Sequence, residues 1–92
     1  MNTIVCRHYN YIAYSKGVMI DKKFGRVLKK LRTVKGVSQE GFALSIGLHR
    51  TYISQLERGL KSPSLRTIEK ICAELDMTLV EFMQYLELEK SL

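Results

Sequence analysis

The clearest pattern in the chain is an apolar stripe that begins after Asp21. Its members are spaced three and four residues apart, as on one face of an amphipathic helix: Phe24, Val27, Leu28, Leu31 and Val34. Basic side chains occupy most of the positions between them, and Gly36 follows where a helix is expected to stop. The pattern predicts a first helix from Asp21 to Lys35.

Two shorter helices with a glycine turn between them are predicted next. Ser38 is a suitable N-cap for a helix over Gln39 to Ile46, and Gly47 suits a left-handed turn residue. The inward residues of this second helix are Phe42, Ala43 and Ile46. A third helix is predicted from Arg50 to Arg58, ending at Gly59.

Two further helices follow the loop "GLKSPS". The fourth has its apolar stripe at Leu65, Ile68, Ile71, Cys72 and Leu75. The fifth starts with a capping-box pattern at Thr78 and Glu81, ahead of an apolar face formed by Leu79, Phe82, Met83 and Leu86. With no convincing strand after residue 20, the sequence predicts an all-α, compact five-helix domain over residues 21–92.

Residues 1–20 differ from the rest of the chain. They hold three of the five tyrosines and show no sustained period of 2 or 3.6 residues. We interpret them as an N-terminal arm that wraps the domain or a partner, or as an upstream extension ahead of a start at Met19. The domain itself is predicted to begin at Asp21.

The charge is unevenly distributed along the chain. The net charge is +6, but residues 1–66 hold 13 Lys and Arg against 3 Asp and Glu, whereas residues 67–92 hold 2 against 6. A basic balance indicates a polyanionic partner, most often nucleic acid, although an anionic membrane surface also fits. The anion-binding surface is therefore expected in the first two thirds of the chain.

The sequence argues against several other classes of protein. Cys6 and Cys72, and likewise His8 and His49, have no spacing typical of a metal site or a catalytic centre, and no glycine-rich phosphate loop is present. No apolar run approaches 18 residues, and the first residues make a poor signal peptide. We expect a cytoplasmic protein that is not an enzyme and uses no metal, cofactor or small-molecule ligand.

The third helix has one wholly polar face. With successive residues about 100° apart, its polar side chains share one side: Arg50, Thr51, Ser54, Gln55 and Arg58. Tyr52, Ile53 and Leu56 lie opposite. Arg, Gln and Thr suit guanine, adenine and thymine edges in a major groove, although any surface helix also presents polar residues to water.

The segments "SQEGFALSIGLHRTYISQLERG" and "SPSLRTIEKICAELDM" resemble the Cro and phage-repressor type of helix-turn-helix domain, the XRE family. The resemblance covers about residues 21 to 83. It implies a five-helix domain that binds double-stranded DNA as a homodimer on a near-palindromic operator. Restriction-modification controllers and compact phage or mobile-element repressors are the most similar members of this length.

The resemblance also implies roles for individual residues. Arg50, Thr51 and Gln55 occupy the base-reading positions. Contacts to DNA phosphates fall to Gln39, Ser54, Arg58 and Lys61. The family commonly pairs an Arg late in the first helix with the Glu of "LERG", here Arg32 and Glu57, which we interpret as a structural pair.

Two positions depart from the family pattern. The N-cap of the third helix, often Ser or Thr, is His49, which is either a plain turn residue or a phosphate contact. Position 41, often Glu or Asp, is Gly41, and a glycine costs up to about 1 kcal/mol in a helix interior. Gly41 either allows a close approach or is simply tolerated.

The last helix is apolar on more than one side, because Val80, Tyr85 and Leu88 extend beyond its core-facing stripe. This second face predicts a homodimer interface, and the alternative is a frayed amphipathic tail. The chain is thus expected to be a transcription regulator, a repressor-like DNA-binding homodimer. A protein-interaction module, such as an antitoxin that binds its partner through the Tyr-rich arm or the last helix, is the alternative function.

Overall fold

The computed structural model describes residues 19–90, and these form five helices with no strand among them. The helices are α1 (Met19–Lys35), α2 (Gln39–Ile46), α3 (Arg50–Glu57), α4 (Leu65–Glu74) and α5 (Leu79–Leu88). The all-α, five-helix prediction is confirmed. Helix α1 begins two residues before the predicted domain start, and residues 1–18 of the predicted arm lie outside the described part of the chain.

The helices start and stop at the residues that the local chemistry favours. The Ser38 hydroxyl accepts a hydrogen bond from the Gly41 backbone N–H at 2.9 Å, which caps α2. Gly47 ends α2 with a φ of 72°, a left-handed conformation that glycine adopts without steric cost. The reciprocal hydrogen bonds of Thr78 and Glu81 form the predicted capping box of α5.

One hydrophobic core joins all five helices. Its buried residues are Phe24, Val27, Leu28, Phe42, Ala43, Ile53, Leu56, Ile71, Cys72 and Phe82. Helix α1 packs against α3 and α5, while α2 packs against α3 and α4. The rings of Phe24 and Phe82 lie 5.3 Å apart, so α5 is held on α1 by an aromatic contact as well as by apolar burial.

Four residues of the predicted apolar stripes are exposed instead of buried. Val34 is 85% exposed, Leu65 81%, Leu79 46% and Met83 38%. Val34 lies in the last turn of α1, where it lines an open groove between α1 and α5. Leu65 and Leu79 are the first residues of their helices, where the helix has not yet reached the core. The periodicity predicts the helices correctly but extends the apolar stripe too far at their ends, and Met83 lies in the middle of α5 at the edge of its buried face.

Candidate nucleic-acid interface

Helices α2 and α3 form a two-helix unit joined by a short turn. The backbone N–H of Leu48 donates to the Ala43 carbonyl at 2.9 Å across this turn, which closes the end of α2 before α3 begins. Helix α3 is anchored by Ile53 and Leu56, both 0% exposed, and Tyr52 packs against the same core. Its opposite side therefore faces outward.

The outward side of α3 carries five of the seven residues predicted to contact DNA. Arg50, Thr51 and Arg58 are exposed, whereas Ser54 and Gln55 are half-buried. Arg58 is also the C-cap of α3, and its Nε lies 3.4 Å from the Ser54 carbonyl. The five polar residues lie on one side of the helix and remain available to a ligand that approaches from outside the domain.

The buried acid of α3 forms an ion pair with α1. Arg32 Nε donates to Glu57 Oε2 at 2.5 Å, and Arg32 Nη2 donates to Glu57 Oε1 at 3.0 Å. The two side chains are 8% and 2% exposed. Arg32 Nη1 also donates to the Val37 carbonyl at 2.6 Å, so one guanidinium connects α1, the α1–α2 turn and α3. Such a bidentate pair fixes both distance and orientation.

Gln39, which is predicted to contact a DNA phosphate, forms a side-chain hydrogen bond within the protein. Its Nε2 donates to Glu57 Oε1 at 2.9 Å, which links the first residue of α2 to the last residue of α3. An amide nitrogen carries two hydrogens, so one donor remains for another acceptor. The family pattern gave no signal for this internal hydrogen bond, because it depends on how α2 and α3 pack.

His49 occupies the N-cap position of α3 but does not cap it with its side chain. Its backbone is extended, with φ −81° and ψ 144°, as an N-cap requires. Its carbonyl accepts hydrogen bonds from the Tyr52 and Ile53 N–H groups, and its imidazole is exposed with no cap hydrogen bond. The backbone of the turn therefore has the usual N-cap geometry, and the imidazole takes no part in capping α3.

Gly25 allows α1 to approach the C-terminal end of α3 closely. A Cβ at this position would lie 2.5 Å from the carbonyl oxygens of both Leu56 and Glu57, a distance that real Cβ atoms do not show. Gly25 itself is buried. A glycine inside a basic amphipathic helix was the available sequence signal, since glycine disfavours helix interiors unless a close contact requires it.

The residues predicted for dimerisation are all on the surface of α5. Val80 is 67% exposed, Tyr85 52% and Leu88 79%. Tyr85 and Leu88 line two neighbouring grooves, of about 510 Å³ and about 390 Å³. Val80 lines neither of these two grooves. The apolar surface of α5 is thus broad, and Tyr85 and Leu88 form a ridge between two depressions.

Metal-ligand clusters and membrane-spanning helices were sought among the described residues. Residues 19–90 contain no group of three His, Cys, Asp or Glu side chains placed to hold a metal. In the same range no helix combines the length and apolar character needed to cross a bilayer. Cys72 is buried, and desolvation raises the pKa of its thiol, which is typical of a small core residue and not of a reactive one.

Comparison with known proteins finds helix-turn-helix proteins and control proteins similar to this chain. A helix-turn-helix family model matches residues 28–82. The control protein C.MunI from Mycoplasma sp is 48% identical over 68 residues, which cover 73% of this chain and 92% of that protein.

Two solved structures of controller proteins are also similar. The restriction-modification controller C.Esp1396I, crystallised as a tetramer with its natural 35 base-pair operator, is 36% identical with a TM-score of 0.71, over 76% of this chain and 92% of that one. The restriction-modification controller C.AhdI from Aeromonas hydrophila is 44% identical with a TM-score of 0.65, over 67% and 94%.

Proposed function

The chain belongs to the helix-turn-helix family, whose model it matches over more than half of its length, and we propose that it is a sequence-specific DNA-binding transcriptional regulator. It acts as a homodimer on double-stranded DNA with a near-palindromic operator. The observation that carries the proposal is the division of α3 into a face locked to the core and a polar face directed outward.

The geometry supports insertion of α3 into the major groove. Its apolar side is fixed by buried Ile53 and Leu56, and its last turn is fixed by the Arg32–Glu57 pair. In a helix-turn-helix dimer, two such helices enter successive major grooves about 34 Å apart on one side of the duplex. The exposed ridge of Tyr85 and Leu88 on α5 is the surface that we propose for contact between the two copies.

We assign base reading to Arg50, Thr51 and Gln55, since these side chains suit base edges. Phosphate contacts are assigned to Gln39, Ser54, Arg58 and Lys61, and they supply affinity that depends on salt but not on sequence. The second N–H of the Gln39 amide serves the phosphate, while the first keeps its hydrogen bond to Glu57.

A finer proposal concerns the biological class. C.MunI, C.Esp1396I and C.AhdI are all named as control or controller proteins, and this chain spans nearly the whole length of each. We therefore propose that the protein is a controller of a restriction-modification operon, that it acts in the cytoplasm and that it has no catalytic activity. A phage or mobile-element repressor is the alternative within the same family, and the neighbouring genes distinguish the two.

The experiment that tests the function is selection of bound sites from random duplex DNA with the purified full chain. We expect enrichment of two half-sites with dyad symmetry, spaced by about one helical turn. If the folded protein enriches no sequence, the proposal of sequence-specific DNA binding is contradicted and the protein-interaction module is favoured. The selected duplex then serves for every binding measurement.

Two substitutions separate base reading from phosphate contact. Arg50→Ala should weaken binding by about 1 to 3 kcal/mol per contact and relax the preference at one base pair of each half-site. Lys61→Ala should weaken binding to all sequences evenly and leave the selected consensus unchanged. Even weakening by Arg50→Ala would instead make Arg50 a phosphate contact, and a shifted consensus for Lys61→Ala would contradict its assignment.

A further inference from the structure

The first turn of α1 is attached to the loop that follows α3. Gly59 has a φ of 74° and is buried, and a Cβ added to it would lie 2.8 Å from Lys22 Cγ and 2.9 Å from Lys22 Cα. The Ser62 hydroxyl donates a hydrogen bond to the Asp21 carboxylate. Two points of contact therefore make residues 21–22 and residues 59–62 one continuous surface.

This surface carries a local excess of positive charge. Lys22, Arg58 and Lys61 are exposed, and none of them forms an ion pair within residues 19–90. Asp21 contributes one negative charge, and its carboxylate is the acceptor of the Ser62 hydroxyl. The arrangement brings a cation from α1 next to the two cations that flank Gly59.

The other basic residues of α1 are mostly engaged inside the domain. Arg26 and Lys30 bind Glu89 at 3.1 Å and 2.8 Å, and Arg32 binds Glu57. Lys35 donates to the Glu74 carbonyl and lies 3.9 Å from the Asp76 carboxylate. Lys23 and Lys29 also form no ion pair within residues 19–90, but Lys22 is the α1 lysine that packs against Gly59, the residue that follows Arg58 and precedes Lys61 by two positions.

From this geometry we propose that Lys22 is a DNA phosphate contact, which extends the binding surface from the helix-turn-helix onto α1. The inference rests on the proposed function, since Arg58 and Lys61 are assigned to phosphates there. The Lys22 stem is held by its packing against Gly59, so less side-chain freedom is lost when its ammonium meets a phosphate. Lys22 adds affinity without sequence preference.

The test is the salt dependence of binding to the selected duplex. Each phosphate contact contributes about 0.9 to the slope of log affinity against log salt, so Lys22→Ala should flatten the slope of a dimer by about 1.8. When salt is raised from 50 to 200 mM, the fold-decrease in affinity should therefore be about ten times smaller for the variant than for wild type. Lys22→Arg should keep the wild-type slope, and all three proteins should select the same consensus.

Lys70→Ala is the matched control. It removes the same charge from another exposed lysine, but Lys70 lies on α4 beside Ser45 and Ile46, away from the loop that carries Lys61. An unchanged slope for Lys22→Ala, or an equal change for Lys70→Ala, overturns the Lys22 assignment while wild-type binding still supports the proposed function. Wild-type protein that binds no DNA overturns both.

Discussion

Glu57 lies on the helix proposed to enter the major groove, yet its side chain is 2% exposed. A carboxylate on the outer face would repel phosphates, and here it accepts three hydrogen bonds from Arg32 and Gln39 instead. The acid therefore serves to orient α3. Its satisfied oxygens also explain how a charged group is tolerated in the interior.

Removing one partner of this pair should be costly. Arg32→Ala should lower the free energy of unfolding by about 3 to 5 kcal/mol, because it leaves the Glu57 carboxylate buried without a counter-charge. Urea denaturation measures the change. Lys29→Ala, an exposed substitution on the same helix, should change it by less than about 0.5 kcal/mol. A loss below about 1 kcal/mol for Arg32→Ala would contradict the structural role.

At the residue scale, the sequence predicted the Arg32–Glu57 pair and the exposure of Arg50 and Thr51, but not the hydrogen bond between α2 and α3. The Arg32 and Glu57 pairing followed from the family resemblance, and the outward position of Arg50 and Thr51 followed from helical periodicity. The Gln39 hydrogen bond to Glu57 joins residues 18 positions apart and depends on the angle between α2 and α3. No one-dimensional pattern encodes such an angle.

At the element scale, the contact between α1 and α3 depends on the absence of a side chain at Gly25. Gly25→Ala should destabilise the protein by about 1 to 3 kcal/mol, because the added Cβ would lie 2.5 Å from two backbone carbonyl oxygens that cannot rotate away. Thermal unfolding followed by circular dichroism measures the loss.

Gly41→Ala is the control for that substitution. Its Cβ would lie 3.2 Å from the Ser38 hydroxyl, a less severe approach to a side-chain atom and not to backbone, and alanine favours a helix more than glycine does. We expect a change within about 1 kcal/mol in either direction. If both variants unfold at the same temperature, the close approach at Gly25 is not what holds α1 on α3.

The end of α5 is tied to α1 by Glu89, and this contact predicts a dependence of stability on pH. Hydrogen bonding by Lys30 lowers the pKa of the Glu89 carboxyl, with a smaller contribution from Arg26, although desolvation opposes both. A carboxyl whose folded pKa lies below its unfolded value of about 4.3 stabilises the fold above that pH. The stabilisation is lost as the pH falls through the folded pKa.

Glu89→Gln should therefore lower the Tm at pH 7 and leave it unchanged at a pH well below 4, where the wild-type carboxyl is protonated as well. Glu87→Gln removes an exposed carboxylate from the last turn of α5 that forms no ion pair within residues 19–90, and it should have little effect at either pH. A Tm difference for Glu89→Gln that persists in acid would assign the effect to packing and not to charge.

The helices themselves were predictable, and their limits were less so. Capping residues such as Ser38, Thr78 and Gly47 marked the ends correctly because capping is a local interaction. Val34 and Leu65 were expected in the core and are exposed, because whether a terminal turn is covered depends on where the neighbouring helix stops. The ion pairs of Glu89 with Arg26 and Lys30 could not be predicted from the sequence for the same reason, since they join residues 59 or more positions apart.

At the scale of the whole molecule, the exposed ridge on α5 predicts the oligomeric state. Leu88→Asp should weaken self-association by at least about tenfold in Kd, because it places a charge on an apolar surface without disturbing the core. Sedimentation without DNA measures this. Leu44→Asp changes an equally exposed leucine on α2, and it should leave the dimer intact. Equal self-association of both variants would move the interface away from Leu88.

The way α3 is held in the domain affects how its operator preference can change in evolution or by engineering. The side chains that hold α3, such as Ile53, Leu56 and Glu57, are buried, whereas Arg50 and Thr51 are exposed and their side chains form no hydrogen bond or ion pair within residues 19–90. Exchanging the exposed pair should retarget the protein to a new operator while altering its folding stability by only about 0.5 kcal/mol. The residues that stabilise the fold are thus separate from the residues proposed to determine operator preference.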